Sequence, residues 1–162
     1  MTDPLGFCVE TFFFAVGIGV VAGLRTFLAP AAIASAVRLA WLNLYGSPFA
    51  FMESNLALVA LAIAALGELV ADLAPSIPRR TSVAPLLARI ISGAFCGACL
   101  GASTNRSLML GAVCGGMGAV IGAFAGYEIR KRLVTKLSIR DLFVALGEDA
   151  VAIGLALFFV SR

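Results

Sequence analysis

Six apolar stretches, each about as long as a helix needs to cross a bilayer, occupy most of this 162-residue chain and leave little from which a soluble core could be built. Breakers and charges divide them into candidate helices at Phe7–Leu24, Phe27–Tyr45, Asn55–Ala74, Val83–Ala102, Leu108–Tyr127 and Leu142–Val160. Apolar residues make up 61% of the chain and charged residues 13%, against roughly 45–50% and 25% in a soluble domain. A soluble fold cannot cover that much apolar side chain. The expectation is an all-α, polytopic membrane protein, a single integral membrane domain over residues 1–162, with six transmembrane helices arranged as three helical hairpins. The second segment carries Arg38 and opens with Leu28-Ala29-Pro30, so the alternative is five crossings with a re-entrant second segment.

Charge placement favours six crossings. The loops near residue 25, at 75–82 and at 128–141 then share a side that takes Arg25, Arg79, Arg80, Arg130, Lys131, Arg132, Lys136 and Arg140. The opposite side keeps Arg106 and Arg162 together with Asp3, Glu10 and Glu53. Because basic loops stay in the cytoplasm, both termini are expected on the outer side, with Trp41, Tyr45, Phe49 and Phe51 as an outer aromatic belt. The first ten residues have no basic n-region, so the first helix is expected to stay in the mature protein. The net charge of +3 is absorbed by topology, and no aromatics alternate with the basic residues as a nucleic-acid surface would require.

Two features recur along the chain. Arg25-Thr26-Phe27-Leu28-Ala29-Pro30 resembles Arg80-Thr81-Ser82-Val83-Ala84-Pro85, and Arg140-Asp141 opens the last helix in a similar way; Thr26, Thr81 and Asp141 are candidate N-caps. Ala65-Leu66-Gly67-Glu68 is echoed by Ala145-Leu146-Gly147-Glu148. Glycines also recur at four-residue spacing: Gly19 and Gly23, then Gly93, Gly97 and Gly101, then Gly118, Gly122 and Gly126. That spacing makes a smooth helix face along which a second backbone packs closely in lipid. Packing among the chain's own helices is the plain use of such faces; a homo-oligomer or a pore lining is the sharper one.

Charges inside the apolar spans need partners or water, since each costs roughly 2.5–3.5 kcal/mol at a helix centre. Glu68 and Asp72 share a helix face, Arg89 is placed to meet Asp72, Glu148 and Asp149 lie about two turns into the last helix, and Arg25 ends the first. Together with Arg80, and with Tyr127 at the end of the fifth helix, these residues are expected at one level near the cytoplasmic face. Two readings compete: carboxylates that neutralise arginines and stitch the helices together, or a water-accessible site for an ion or small polar solute. Arg38 is expected to snorkel outward.

Four cysteines include Cys96-x-x-Cys99, but this pair lies within an apolar helix and the chain has no histidine. They read as small packing residues, and neither a metal nor another cofactor is expected. The missing histidine also counts against catalysis, although acids and arginines at head-group level leave open an enzyme acting on lipid phosphates.

Four motifs, Ala22-Gly23-Leu24-Arg25-Thr26, Gly67-Glu68-Leu69-Val70-Ala71-Asp72 with Pro78-Arg79-Arg80-Thr81, Gly122-Ala123-Phe124-Ala125-Gly126-Tyr127 and Leu146-Gly147-Glu148-Asp149-Ala150, carry a family resemblance. Between about Gly17 and Phe159 the chain resembles the small bacterial membrane proteins grouped as domain of unknown function 4126. The resemblance implies a location in the bacterial cytoplasmic membrane and marks these positions without giving them a role. The leading expectation is a small transporter or channel whose partners are the bilayer and an ion or small polar solute. A structural or accessory protein packing through glycine faces is the alternative.

Overall fold

The computed structural model describes residues 4–71, 83–137 and 141–161, and side chains over 10–71, 83–133 and 146–161. Asp72, Arg80 and Thr81 lie outside the described residues, as do the side chains of Cys8, Lys136, Arg140 and Asp141. The described chain is all helical: α1 Pro4–Leu24, α2 Leu28–Arg38, a short 3-10 helix at Ala50–Glu53, α3 Asn55–Ala71, α4 Val83–Ser103, α5 Leu108–Leu137 and α6 Asp141–Val160. Val83–Ser103 and Leu108–Leu133 are each long and apolar enough to cross a membrane.

Small residues face inward and large apolar ones face outward. On α5, Gly111, Gly115, Gly118, Ala119, Gly122 and Ala123 are buried, while Val113, Met117, Ile121 and Phe124 are exposed. Helices that approach through small residues and present bulky apolar side chains outward are packed for a surrounding of hydrocarbon.

Close packing centres on α1, α4 and α5. A methyl group at Gly97 would overlap the Gly111 carbonyl oxygen, and one at Gly93 would stand 2.7 Å from that of Gly115. On the other side of α5, Gly19 meets Gly115, Gly23 meets Ala119, Gly118 meets Val16 and Gly122 meets Val20. Gly101 packs at the α4–α5 turn against Ser107, and Gly126 against the Leu24 side chain. All eight glycines singled out from the sequence therefore pack within the chain. Gly111 and Gly115, overlooked in the sequence, are the mates of the α4 glycines; their own four-residue spacing was the available signal.

The same registers give the helix directions. Residue numbers rise together along α1 and α5 but oppositely along α4 and α5, and Gly17 meets Phe159 while Arg25 meets Asp149 across α1 and α6. So α1 and α5 run one way, and α4 and α6 the other. The hairpin picture needs revision, because α3 packs on α2 and the 3-10 helix while α4 packs on α5 and α1. Glycine faces allow a closer approach than chain neighbours do, and they decide the pairing.

The second segment is the larger departure from expectation. Instead of running from Phe27 to Tyr45, α2 spans 11 residues, or about 16 Å, roughly half the thickness of a hydrocarbon core. It ends in a Schellman closure, with Ala40 at φ 58°, its N–H bonded to the Val37 carbonyl and the Trp41 N–H bonded to that of Ala36. The chain then returns as a loop that buries Leu44 and Met52 and stacks Phe49 edge-on against Phe95 at 5.4 Å. Phe49 is thus a packing residue, whereas Trp41, Tyr45 and Phe51 are exposed. Arg38 ends α2 in an exposed position, where a cation suits the helix dipole. Ala29, Ile33, Ala34 and Val37 of α2 pack with Ile18, Val21, Cys96, Cys99 and Ala156 in the core. Cys96 and Cys99 are buried free thiols in that packing.

Candidate functional site

Helix α1 stops at Leu24 and α2 begins at Leu28, so Arg25, Thr26 and Phe27 form a break inside the bundle. Arg25 is buried, Thr26 half-buried and Phe27 exposed, and in an apolar surrounding the freed backbone groups and the arginine need partners. Three other helices supply them.

Asp149 of α6 accepts from the Arg25 guanidinium in a salt bridge whose side chains are 11% and 1% exposed. Glu68, near the end of α3, accepts from the Thr26 N–H through one oxygen and from the Phe27 N–H through the other, both at 2.8 Å. The Ser92 hydroxyl of α4 donates to the Thr26 carbonyl at 2.5 Å. Thr26 was expected to cap α2 with its own hydroxyl. The structure corrects this: the N-cap is Phe27, no side chain of the cap residue bonds to the helix, and the acceptor comes from α3. A carboxylate at this end also meets the positive end of the helix dipole, an advantage a hydroxyl lacks.

The neighbouring acid serves another helix. Glu148 points to α5, where Arg130 lies 3.8 Å away, and a methyl group at Gly126 would stand 3.4 Å from its carboxylate. Consecutive residues on a helix point about 100° apart, which is how Asp149 reaches α1 while Glu148 reaches α5.

Arg89 is buried at the same depth. It precedes Gly93 by one turn, and Ala123, which Gly23 contacts, follows by one turn the Ala119 that Gly93 contacts. Antiparallel α4 and α5 therefore bring Arg89 level with Gly23 and Arg25.

The level expected from sequence thus exists, with Arg25, Glu68, Arg89, Glu148 and Asp149 in it. Tyr127 is half-buried on α5, and among the described residues no hydrogen bond joins it to these groups. Two members were missed. Arg130 had been assigned to the basic loop, although its place one turn after Gly126 puts it within reach of Glu148. Ser92 was visible only as a lone hydroxyl in an apolar helix.

Adding Arg130 changes the charge balance: Arg25, Arg89 and Arg130 face Glu68, Glu148 and Asp149, three against three among the described residues. Arg132 pairs with Glu128 at 2.8 Å further along α5, outside the layer.

The leucine–glycine–glutamate echo has a common geometry. Leu66 and Leu146 are exposed, Gly67 and Gly147 have open space around them, and Glu68 and Glu148 are turned into the layer.

A model of the family described as "Domain of unknown function (DUF4126)" matches residues 12–161, nearly the whole chain. No curated protein and no solved structure is detectably similar.

Proposed function

The chain belongs to the DUF4126 family, whose description assigns no activity, and from its geometry we propose a small transporter or channel of the bacterial cytoplasmic membrane, handling an ion or small polar solute at the layer around Arg25. The observation that carries this reading is the break between α1 and α2. A helix interrupted inside an apolar bundle, with a half-length helix beginning beside a buried Arg25–Asp149 pair, is the arrangement by which transporters place polar groups at membrane depth.

The same features support a reading with six passages. Helices α1 and α6 have 21 and 20 residues, α4 and α5 are long enough to span, and α2 with its loop makes a broken return to the start of α3. Lys131 and Arg132 lie beyond the layer on α5, and their charge supports a cytoplasmic assignment for that side, with both termini periplasmic. Terminal reporter fusions test this, and a cytoplasmic signal from either terminus rejects it.

Transport is tested with purified protein in liposomes, following potassium and proton flux with ion-sensitive dyes. The wild type is expected to exceed protein-free vesicles, and Glu68→Gln and Asp149→Asn to abolish the excess while remaining folded in detergent. Flux no greater than the empty-vesicle rate, or variants as active as the wild type, rejects the assignment.

A second reading, a structural membrane protein whose charges only join helices, draws on the balanced pairing of the described layer. It expects the carboxylate variants to change stability alone.

A further inference from the structure

Helix α3 is attached differently from the others. Its only fully buried side chain is Ala65; Leu56, Val59, Ile63, Leu66 and Val70 are all exposed. It packs on α2 and the 3-10 helix, whereas α1, α4 and α5 interlock backbone to backbone through glycines. Near the C-terminal end of α3, Glu68 reaches across to the break and occupies two backbone N–H groups with its two oxygens.

We propose that α3 is a lid over the α1–α2 break and that the Glu68 carboxylate is its latch. This rests on the transport reading above and gives that site its gate. The physical asymmetry is in what each helix must give up to move. Shifting α4 or α1 against α5 would open a tightly packed backbone interface along its whole length. Among the described residues, moving α3 gives up the Ala65 contact, the half-buried packing of Ala57, Leu58, Leu61, Ala62, Ala64 and Leu69, and the two hydrogen bonds of Glu68. Those bonds matter most: the Thr26 amide is part-buried and the Phe27 amide lies at the surface, where in lipid no water replaces a lost acceptor and a charged acceptor holds both well. The latched state keeps the Thr26 and Phe27 amides satisfied without water. The open state exposes them, at the positive end of α2, to solvent or to an incoming solute.

Distances between spin labels test this without any transport assay. In a background whose native cysteines are replaced by alanine, one pair is placed at Ile63 of α3 and Ile121 of α5, and a control pair at Ile91 of α4 and Val151 of α6; all four positions are exposed. Glu68→Ala removes both acceptors. Glu68→Gln keeps one carbonyl oxygen and loses the charge. In lipid nanodiscs both changes are expected to shift or split the α3–α5 distribution by more than about 2 Å, alanine more than glutamine, while the control pair stays unchanged. An unaltered α3–α5 distribution in both variants, or a control pair that moves equally, overturns the lid. A shift in α3 with wild-type flux at the empty-vesicle rate leaves the lid standing and removes the transport reading; flux without any shift does the reverse.

Discussion

Replacing Asp149 by Asn strikes an ion pair whose two side chains are both buried in the bundle. Arg25 is 1% exposed and the Asp149 side chain 11%, so solvent screens the pair little and neither charge can relax into bulk water. Removing one partner of such a pair, with the other left charged, typically costs about 3–5 kcal/mol. That is a large share of the roughly 5–15 kcal/mol by which a domain is stable. The measurement is denaturant unfolding of the purified protein in detergent, followed by circular dichroism, for Asp149→Asn, Arg25→Met, Asp149→Leu and the double variant Arg25→Met/Asp149→Leu. The double variant removes both charges and fills their place with apolar groups, so it should be more stable than either Arg25→Met or Asp149→Leu, with a coupling of at least about 2 kcal/mol. If Asp149→Asn lies within about 1 kcal/mol of wild type, or the double variant loses the sum of the two singles, the pair does not hold the break and the reasoning fails.

Other expectations follow from contacts at single residues. Ala40 adopts a left-handed conformation that glycine takes without penalty, so Ala40→Gly should stabilise the protein by about 1 kcal/mol in the same unfolding assay. Gly97→Ala should destabilise by about 1–3 kcal/mol, because its methyl group meets the Gly111 carbonyl, whereas Gly67→Ala, with open space around it, should gain about 0.5–1 kcal/mol; equal effects at the two positions would contradict the packing. Phe49→Ala and Phe95→Ala should prove non-additive in a double-mutant cycle by about 0.5–1.5 kcal/mol, the value of an edge-on ring pair.

Much of the layer was legible before the fold was known. Charges in apolar helices are scarce enough to stand out, and counting helix turns from the loops placed Arg25, Glu68, Arg89, Glu148 and Asp149 at one depth. Their partners were less accessible. Glu68 accepts from backbone amides on another helix, and amide groups leave no mark in a sequence. Arg130 looks like its neighbours Lys131 and Arg132 until the rotation of α5 turns it toward Glu148.

The sequence by itself determined the apolar, all-helical character of the chain, the approximate limits of four helices and the start of α5, which runs on to Leu137 rather than ending at Tyr127, the charge asymmetry and the glycine faces, since hydropathy and four-residue spacing are local properties that do not depend on neighbours. Only the tertiary structure decided where α2 stops and which faces meet. No glycine or proline ends α2 after Arg38; the helix closes on Ala40 because the following loop is held by Leu44, Phe49 and Met52 in the core. Likewise, α5 takes both α1 and α4 because it carries small residues on two faces, a choice made by the closest available backbone approach rather than by order along the chain.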